Sequence, residues 1–184
     1  MQTDSAFCEA YRLLRLKLLR QLKEEDKILM VTSSIPSEGK SSVSVNLALS
    51  LAREGKKVLL IDGDLRGPSD KALLGITKPS EGLGQCLSGS LDQVHFLRYE
   101  DTSLYVFAGS QPIQSPMNLL QYDKLEALMN TLRPMFDYIV LDTPPCAMMA
   151  DALALCRHVD RVVYVIREDF AATTQIFEGV QALA

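Results

Sequence analysis

Five short runs, each apolar on both faces, recur along this chain with helical or loop sequence between them. They are residues 27–34 (KILMVTSS), 57–62 (KVLLID), 104–108 (LYVFA), 137–142 (DYIVLD) and 161–166 (RVVYVI). A strand whose two faces are both apolar has to be covered on both sides. Strands of that kind alternating with helices therefore specify a mostly parallel sheet between helical layers. The helical stretches carry their own signals. Phe7, Tyr11, Leu14, Leu18 and Leu22 recur at intervals of three and four, which predicts a helix from Ser5 to about Glu25. A second helix is predicted over 39–54, stopped by Gly55, and a third over 123–133, with Leu125, Leu128, Met129 and Leu132 on one side. Short helices are predicted over 151–158 and 171–184, while 67–89 is rich in Gly, Pro and Ser and predicts loops with brief helical turns. The expected fold is a single doubly wound α/β domain over 1–184, with helices on both faces: an N-terminal helical segment, 1–26, and a core, 27–184.

Composition narrows the function. The 184 residues are 47% hydrophobic and 23% charged, ordinary values for a chain that folds without disulfides or metals. A net charge of −4 argues against a nucleic-acid binder relying on a basic surface, so no nucleic-acid partner is expected. No apolar run has the length of a membrane span, and the N-terminus lacks the basic start of a signal peptide. Cys8, Cys86, Cys146 and Cys156 form no C-x-x-C pair and have no histidine at ligand spacing, so they are expected to be reduced thiols in or near the core.

Ligands of open α/β sheets bind beyond the carboxyl ends of the strands, and three runs here end in residues suited to phosphate or metal. After the first comes Ser34-Ile-Pro-Ser-Glu-Gly-Lys-Ser-Ser42. A phosphate loop needs inward N–H groups, a close-approach glycine, a lysine for the β/γ-phosphates and a hydroxyl for Mg²⁺. Gly39, Lys40 and Ser41 supply the last three, whereas Ser34 stands where the general pattern has its first glycine. After the second run come Asp62 and Asp64. Two carboxylates at i and i+2 leave a strand on the same side and call for a cation, either Mg²⁺ or Lys40. The fourth run ends in Asp142-Thr-Pro-Pro145, an acid where nucleoside triphosphatases hold Mg²⁺, followed by a rigid turn. Each motif also has a plain reading as a polar turn. Their coincidence at the ends of separate core strands favours a shared site.

Taken in order, Thr32–Ser41, Asn46-Leu-Ala48, Ile61-Asp-Gly-Asp-Leu-Arg66 and Leu141-Asp-Thr-Pro-Pro145 resemble the bacterial tyrosine autokinases of polysaccharide export. Those enzymes are P-loop proteins of the partition-ATPase type, with a Walker A, an acidic Walker A′ and a Walker B. Glu9, Arg12 and Arg15 fit the family's E-x-x-R-x-x-R motif in its first helix. Pro68-Ser69, Gly82-Leu83 and Asp151-Ala152 also match in register, so the resemblance runs from about Ser5 to Thr174.

The resemblance implies ATP and Mg²⁺ as cofactors. Ser37, Glu38, Gly39, Lys40, Ser41 and Ser42 would line the phosphate cradle, Lys40 neutralising the β/γ oxygens, with Arg66 also at the nucleotide. Ser41 would bind Mg²⁺, and Asp64 and Asp142 would hold it directly or through water. Asp62 is the preferred base for an incoming tyrosine, although spacing does not choose between it and Asp64. Glu9, Arg12 and Arg15 would form a contact between copies in a ring, and a solvated charged face is the plainer alternative. Further implied partners are the cytosolic segment of a membrane polysaccharide co-polymerase and a phosphotyrosine phosphatase. The implied location is cytoplasmic, peripheral at the inner face of the membrane.

Two departures bear on this expectation. The family carries a further strand and a tyrosine-rich tail, so this sequence is expected to be a truncated or partly ordered version, with loss of the tail as the alternative. Its six tyrosines are Tyr11, Tyr99, Tyr105, Tyr122, Tyr138 and Tyr164, the fifth and sixth within predicted core strands and poor substrates. A partition- or septum-type ATPase is the alternative, but such proteins usually carry an early P-loop lysine near Ser33 to Ile35, and none is there. A nucleotide-binding scaffold is the third reading, opposed by the intact acids and Lys40.

Overall fold

The computed structural model describes residues 5–89 and 94–184. Residues 1–4 of the expected N-terminal segment lie outside the described residues.

The apolar runs pair as one sheet. The strands are β1 (Ile28–Ser33), β2 (Val58–Asp62), β3 (Leu97–Arg98), β4 (Leu104–Phe107), β5 (Tyr138–Asp142) and β6 (Arg161–Val165). They lie in the order β3-β4-β2-β5-β1-β6, parallel throughout except for the antiparallel β3–β4 pair at one edge. β1 and β2 are buried at every position, as central parallel strands should be. β6 forms the other edge and is half-exposed.

Strand alternation splits the core in two. Val58 and Leu60 face one layer with Val45, Leu47 and Leu51 of α2 (Lys40–Arg53). Leu59 and Ile61 face the other layer. There they meet Leu83 and Leu87 of α4 (Leu83–Ser88), Leu125, Leu128 and Leu132 of α5 (Tyr122–Leu132) and Leu155 of α6 (Ala150–Cys156). Helices therefore cover both faces, as the runs predict. The remaining helices are α1 (Ser5–Leu19), α3 (Asp70–Leu73) and α7 (Thr173–Ala182). All four cysteines are free, with Cys86 and Cys146 buried.

Three local differences have physical causes. The first helix ends at Leu19, about six residues before the expected end near Glu25. Its end is fixed by Asp26, which accepts the N–H of Lys23 at 2.8 Å and Nε of Arg161 at 2.7 Å, folding the chain back into β1. β3 was not expected, since two residues are too few to show a period. Arg15 differs in its surroundings. It is only 6% exposed and lies inside the chain, donating to the carbonyl of Ser50 at 2.9 Å and pairing with Glu54 at 2.9 Å. Glu9 and Arg12 form an exposed pair at 3.3 Å on the same helix.

Arg15→Ala is therefore expected to destabilise the docking of α1 on α2 by about 1–3 kcal/mol, while Arg12→Ala stays within about 0.5 kcal/mol. Chemical denaturation of the two variants checks this. Equal losses would show that Arg15 contributes no more than its exposed neighbour.

Candidate active site at a carboxylate-lined phosphate loop

The loop between β1 and α2 is held from several sides. Ser37 and Gly39 both adopt left-handed backbone, with φ of 68° and 94°. That alternation turns consecutive N–H groups toward one concavity suited to an anion. Gly39 takes the conformation without penalty, whereas Ser37 is a strained position for a residue with a side chain. The strain is held by Glu38, which is 4% exposed and accepts the N–H of Ile35 at 2.9 Å and of Arg167 at 3.4 Å. The Glu38 side chain is thus a brace within the loop. Ser34, standing in the first-glycine position, hydrogen-bonds the Tyr164 hydroxyl at 2.9 Å. Burial pushes Tyr164 up to about 12, so its hydroxyl is a structural group.

The turn after β5 is fastened to the same strand. Thr32 Oγ1 donates to the carbonyl of Pro144 at 2.9 Å, Thr143 Oγ1 donates to that of Val31 at 3.0 Å, and the Cys146 N–H donates to that of Ser33 at 2.9 Å. The double-proline segment and the phosphate loop are therefore one unit.

Around Lys40 the expected acids converge. Asp62 and Asp142 are direct partners in the parallel β2–β5 register. Their side chains leave neighbouring strands in the same direction, about 4.8 Å apart by strand spacing. Gly63 makes this closeness possible: a Cβ there would lie 2.7 Å from the carbonyl oxygen of Asp142, to which its own N–H donates at 2.7 Å. Lys40 Nζ reaches Asp64 at 3.3 Å and Ser41 Oγ at 3.3 Å. Ser44, absent from the expected set, donates to Asp142 at 2.9 Å. Asp142 Oδ2 is buried with no hydrogen-bond partner.

Asp70, at the start of α3, also joins this cluster without having been expected. It is fully buried, and both its oxygens lack a partner. In sequence it reads as an ordinary helix-start acid after Pro68-Ser69, and no spacing rule connects it to Asp62.

Arg66 is drawn elsewhere: it grips Asp151 with two hydrogen bonds, at 2.7 and 3.2 Å, which pins the loop after β2 to α6. Ser42 lies in the first turn of α2, where its carbonyl accepts from Asn46 at 2.8 Å. Glu9 and Arg12 lie on α1, outside this cluster.

Burial and mutual repulsion set the proton affinities. Asp62 is raised from 3.8 to about 7, first by burial and then by the charge of Asp142. Asp70 and Asp142 are raised by burial too, the latter opposed by Lys40 and by hydroxyl donors. For Lys40, burial acts against the ammonium, but Asp142 and Asp64 outweigh it and the net shift is upward. The donors present suit Mg-nucleotide: a nest of N–H groups, a buried ammonium, a hydroxyl at Ser41, and carboxylate oxygens left unpaired.

A family profile described as ParA, NUBPL iron-transfer P-loop NTPase, matches residues 24–175. The tyrosine-protein kinase CpsD of Streptococcus pneumoniae serotype 4 is 38% identical over 163 residues, covering 85% of this chain and 70% of that protein. The chain belongs to the bacterial tyrosine-protein kinases. Within that family, the tyrosine-protein kinase YwqD of Bacillus subtilis is 32% identical over 179 residues, covering 96% of this chain and 75% of that protein. The kinase domain of the Escherichia coli tyrosine kinase ETK superposes with a TM-score of 0.87 at 30% identity, covering 96% of this chain and 69% of that one. The chain spans 62% of the length of several further CpsD relatives. Among the described residues, no helix is long and apolar enough to cross a membrane.

The raised acids give the site a measurable pH signature. From 3.8 to about 7, folded protein retains on Asp62 a proton that the unfolded chain has released. Stability without metal or nucleotide therefore falls as pH rises through that window, by at most about 1.4 kcal/mol per pH unit for one group. In EDTA, the melting temperature of Asp62→Asn is expected to fall less than that of wild type between about pH 5 and pH 7. Equal slopes would show that Asp62 keeps ordinary acidity.

Proposed function

We propose that this chain is an ATP-dependent protein-tyrosine autokinase, transferring the γ-phosphoryl group to tyrosines of a neighbouring copy in the control of polysaccharide synthesis and export. The observation that carries the reading is the convergence of Lys40, Asp62, Asp64 and Asp142 beside the phosphate loop, in a chain related to tyrosine kinases.

Main-chain N–H groups from Ser37 to Ser42 bind the phosphates, and Lys40 exchanges its Asp64 partner for β/γ oxygens. Ser41, Asp64 and Asp142 would hold Mg²⁺, which would supply charge neutralisation on the transferred group. Asp62 accepts the proton of the incoming tyrosine hydroxyl. Its proton affinity near neutrality suits a base, since a free tyrosine ionises near pH ~10 and needs a positioned acceptor. Arg66 acts indirectly, through its grip on Asp151, by keeping the Asp62–Asp64 turn in place.

Copies associate through the outer face of α1, where Glu9 and Arg12 lie beside the exposed Leu13 and Leu16. Arg15 supports that face from within by fixing α1 on α2. The cytosolic segment of a membrane polysaccharide co-polymerase serves as activator and a phosphotyrosine phosphatase reverses the modification. Both place the protein in the cytoplasm, at the inner face of the membrane. The ParA match favours a partition-type ATPase as the second reading, with water in place of tyrosine.

Incubation of the full-length gene product with Mg²⁺, ATP and the partner segment, followed by phosphotyrosine detection, separates the two. Wild type is expected to accumulate phosphotyrosine, Lys40→Met to accumulate none, and Asp62→Asn to be slowed about 10²- to 10⁴-fold. Phosphotyrosine that persists in Lys40→Met, or ATP hydrolysis without any phosphotyrosine, contradicts the kinase reading.

A further inference from the structure

We propose that Asp62, Asp70 and Asp142 form a divalent-cation site that fills without nucleotide, with Asp70 as its distinguishing ligand. The three carboxylates each present an oxygen within 4.8 Å of the others, and all three residues are buried. Oxygens bound at about 2.1–2.4 Å to one cation lie roughly 3 to 4.8 Å apart, for adjacent and opposite ligands respectively. That limit is compatible with one shared ion, and the donors are all oxygen, which suits a hard cation such as Mg²⁺ or Mn²⁺.

Acidic residues gathered at a surface would carry no such meaning. What distinguishes this cluster is the state of its oxygens. Asp70 is fully buried, and neither of its oxygens meets any hydrogen-bond donor; Oδ2 of Asp142 is in the same condition. A buried carboxylate without a donor is strongly destabilising unless a cation or a proton completes it. The nearby ammonium is already committed, since Lys40 pairs with Asp64.

The backbone aims Asp70 inward. The N–H groups of Ser69 and Asp70 both donate to Oδ2 of Asp62, at 2.8 and 3.0 Å. Asp62 thereby draws the start of α3 onto the end of β2 and brings the second acid over the first. Neither Asp62 nor Asp70 belongs to the set expected for the nucleotide's ion, Ser41, Asp64 and Asp142, so only Asp142 is common to both. The site stands whether tyrosine or water receives the phosphoryl group.

Titrating nucleotide-free protein with Mn²⁺, and following the loss of the free-ion signal by electron paramagnetic resonance, tests this. Wild type is expected to bind one Mn²⁺. Asp70→Asn is expected to bind it at least about tenfold more weakly, whereas Ser41→Ala, which removes a hydroxyl expected as a ligand of the nucleotide's ion but not of this one, binds within about twofold of wild type. If Asp70→Asn does not fold, wild type decides: its melting temperature without nucleotide must be higher in Mn²⁺ than in EDTA. The proposal is overturned if wild type binds no Mn²⁺ without nucleotide or shows no thermal shift. It is equally overturned if Asp70→Asn binds as well as wild type, or if Ser41→Ala loses Mn²⁺ as completely as Asp70→Asn.

Discussion

Two acids in register on neighbouring parallel strands cannot avoid each other, and the site depends on that constraint. Asp62 and Asp142 end β2 and β5 as direct partners, and the strand order places β1 with its phosphate loop on the other side of β5. In a parallel sheet all carboxyl ends point the same way, so the loop, both acids and Lys40 are delivered to one place by topology alone. The surrounding structure reinforces this closeness. Gly63 gives the second strand room to approach, Arg66 anchors the turn to Asp151, and threonine and cysteine groups fasten the double-proline segment to β1.

Four carboxylates gather there around one ammonium, since Asp64 and Asp70 join the registered pair. Burial of like charges is unfavourable, so the cluster in isolation is unstable with respect to taking up a cation or protons. The loop beside it stores strain of another kind, with a left-handed Ser37 braced by Glu38. Where those acids are ionised, a site of this kind beside an N–H nest rejects a bare polyphosphate and accepts one whose charge is offset. On the proposed kinase reading, selectivity for the metal complex of the nucleotide then follows from electrostatics, before any contact with base or sugar.

How much of this was legible depended on whether the signal was local. Residues 34–42 carried the phosphate loop because glycine, lysine and serine stand in sequence next to a strand and a helix. Asp62, Asp64 and Asp142 were legible because each ends an apolar run, and the layering followed from runs apolar on both faces. Asp70 was not legible, because its link to Asp62 passes through two backbone N–H groups and the path of a loop. Arg15 was visible as a motif position, but the pattern did not reveal that its guanidinium turns inward to Ser50 and Glu54. Ser34, which looked like a defect in the glycine pattern, is paired with Tyr164, 130 residues away. Period and propensity do not reach such partners.

The central claim is that the site is built for a phosphate chain whose charge has been offset, and the affinity for ADP with and without Mg²⁺ tests it most directly. Calorimetric titration of the same protein in Mg²⁺ and in EDTA is expected to show ADP binding at least about 100-fold more weakly without the metal, about 2.8 kcal/mol. Equal affinities in the two conditions would contradict the account, since the buried carboxylates would then not repel the bare phosphates.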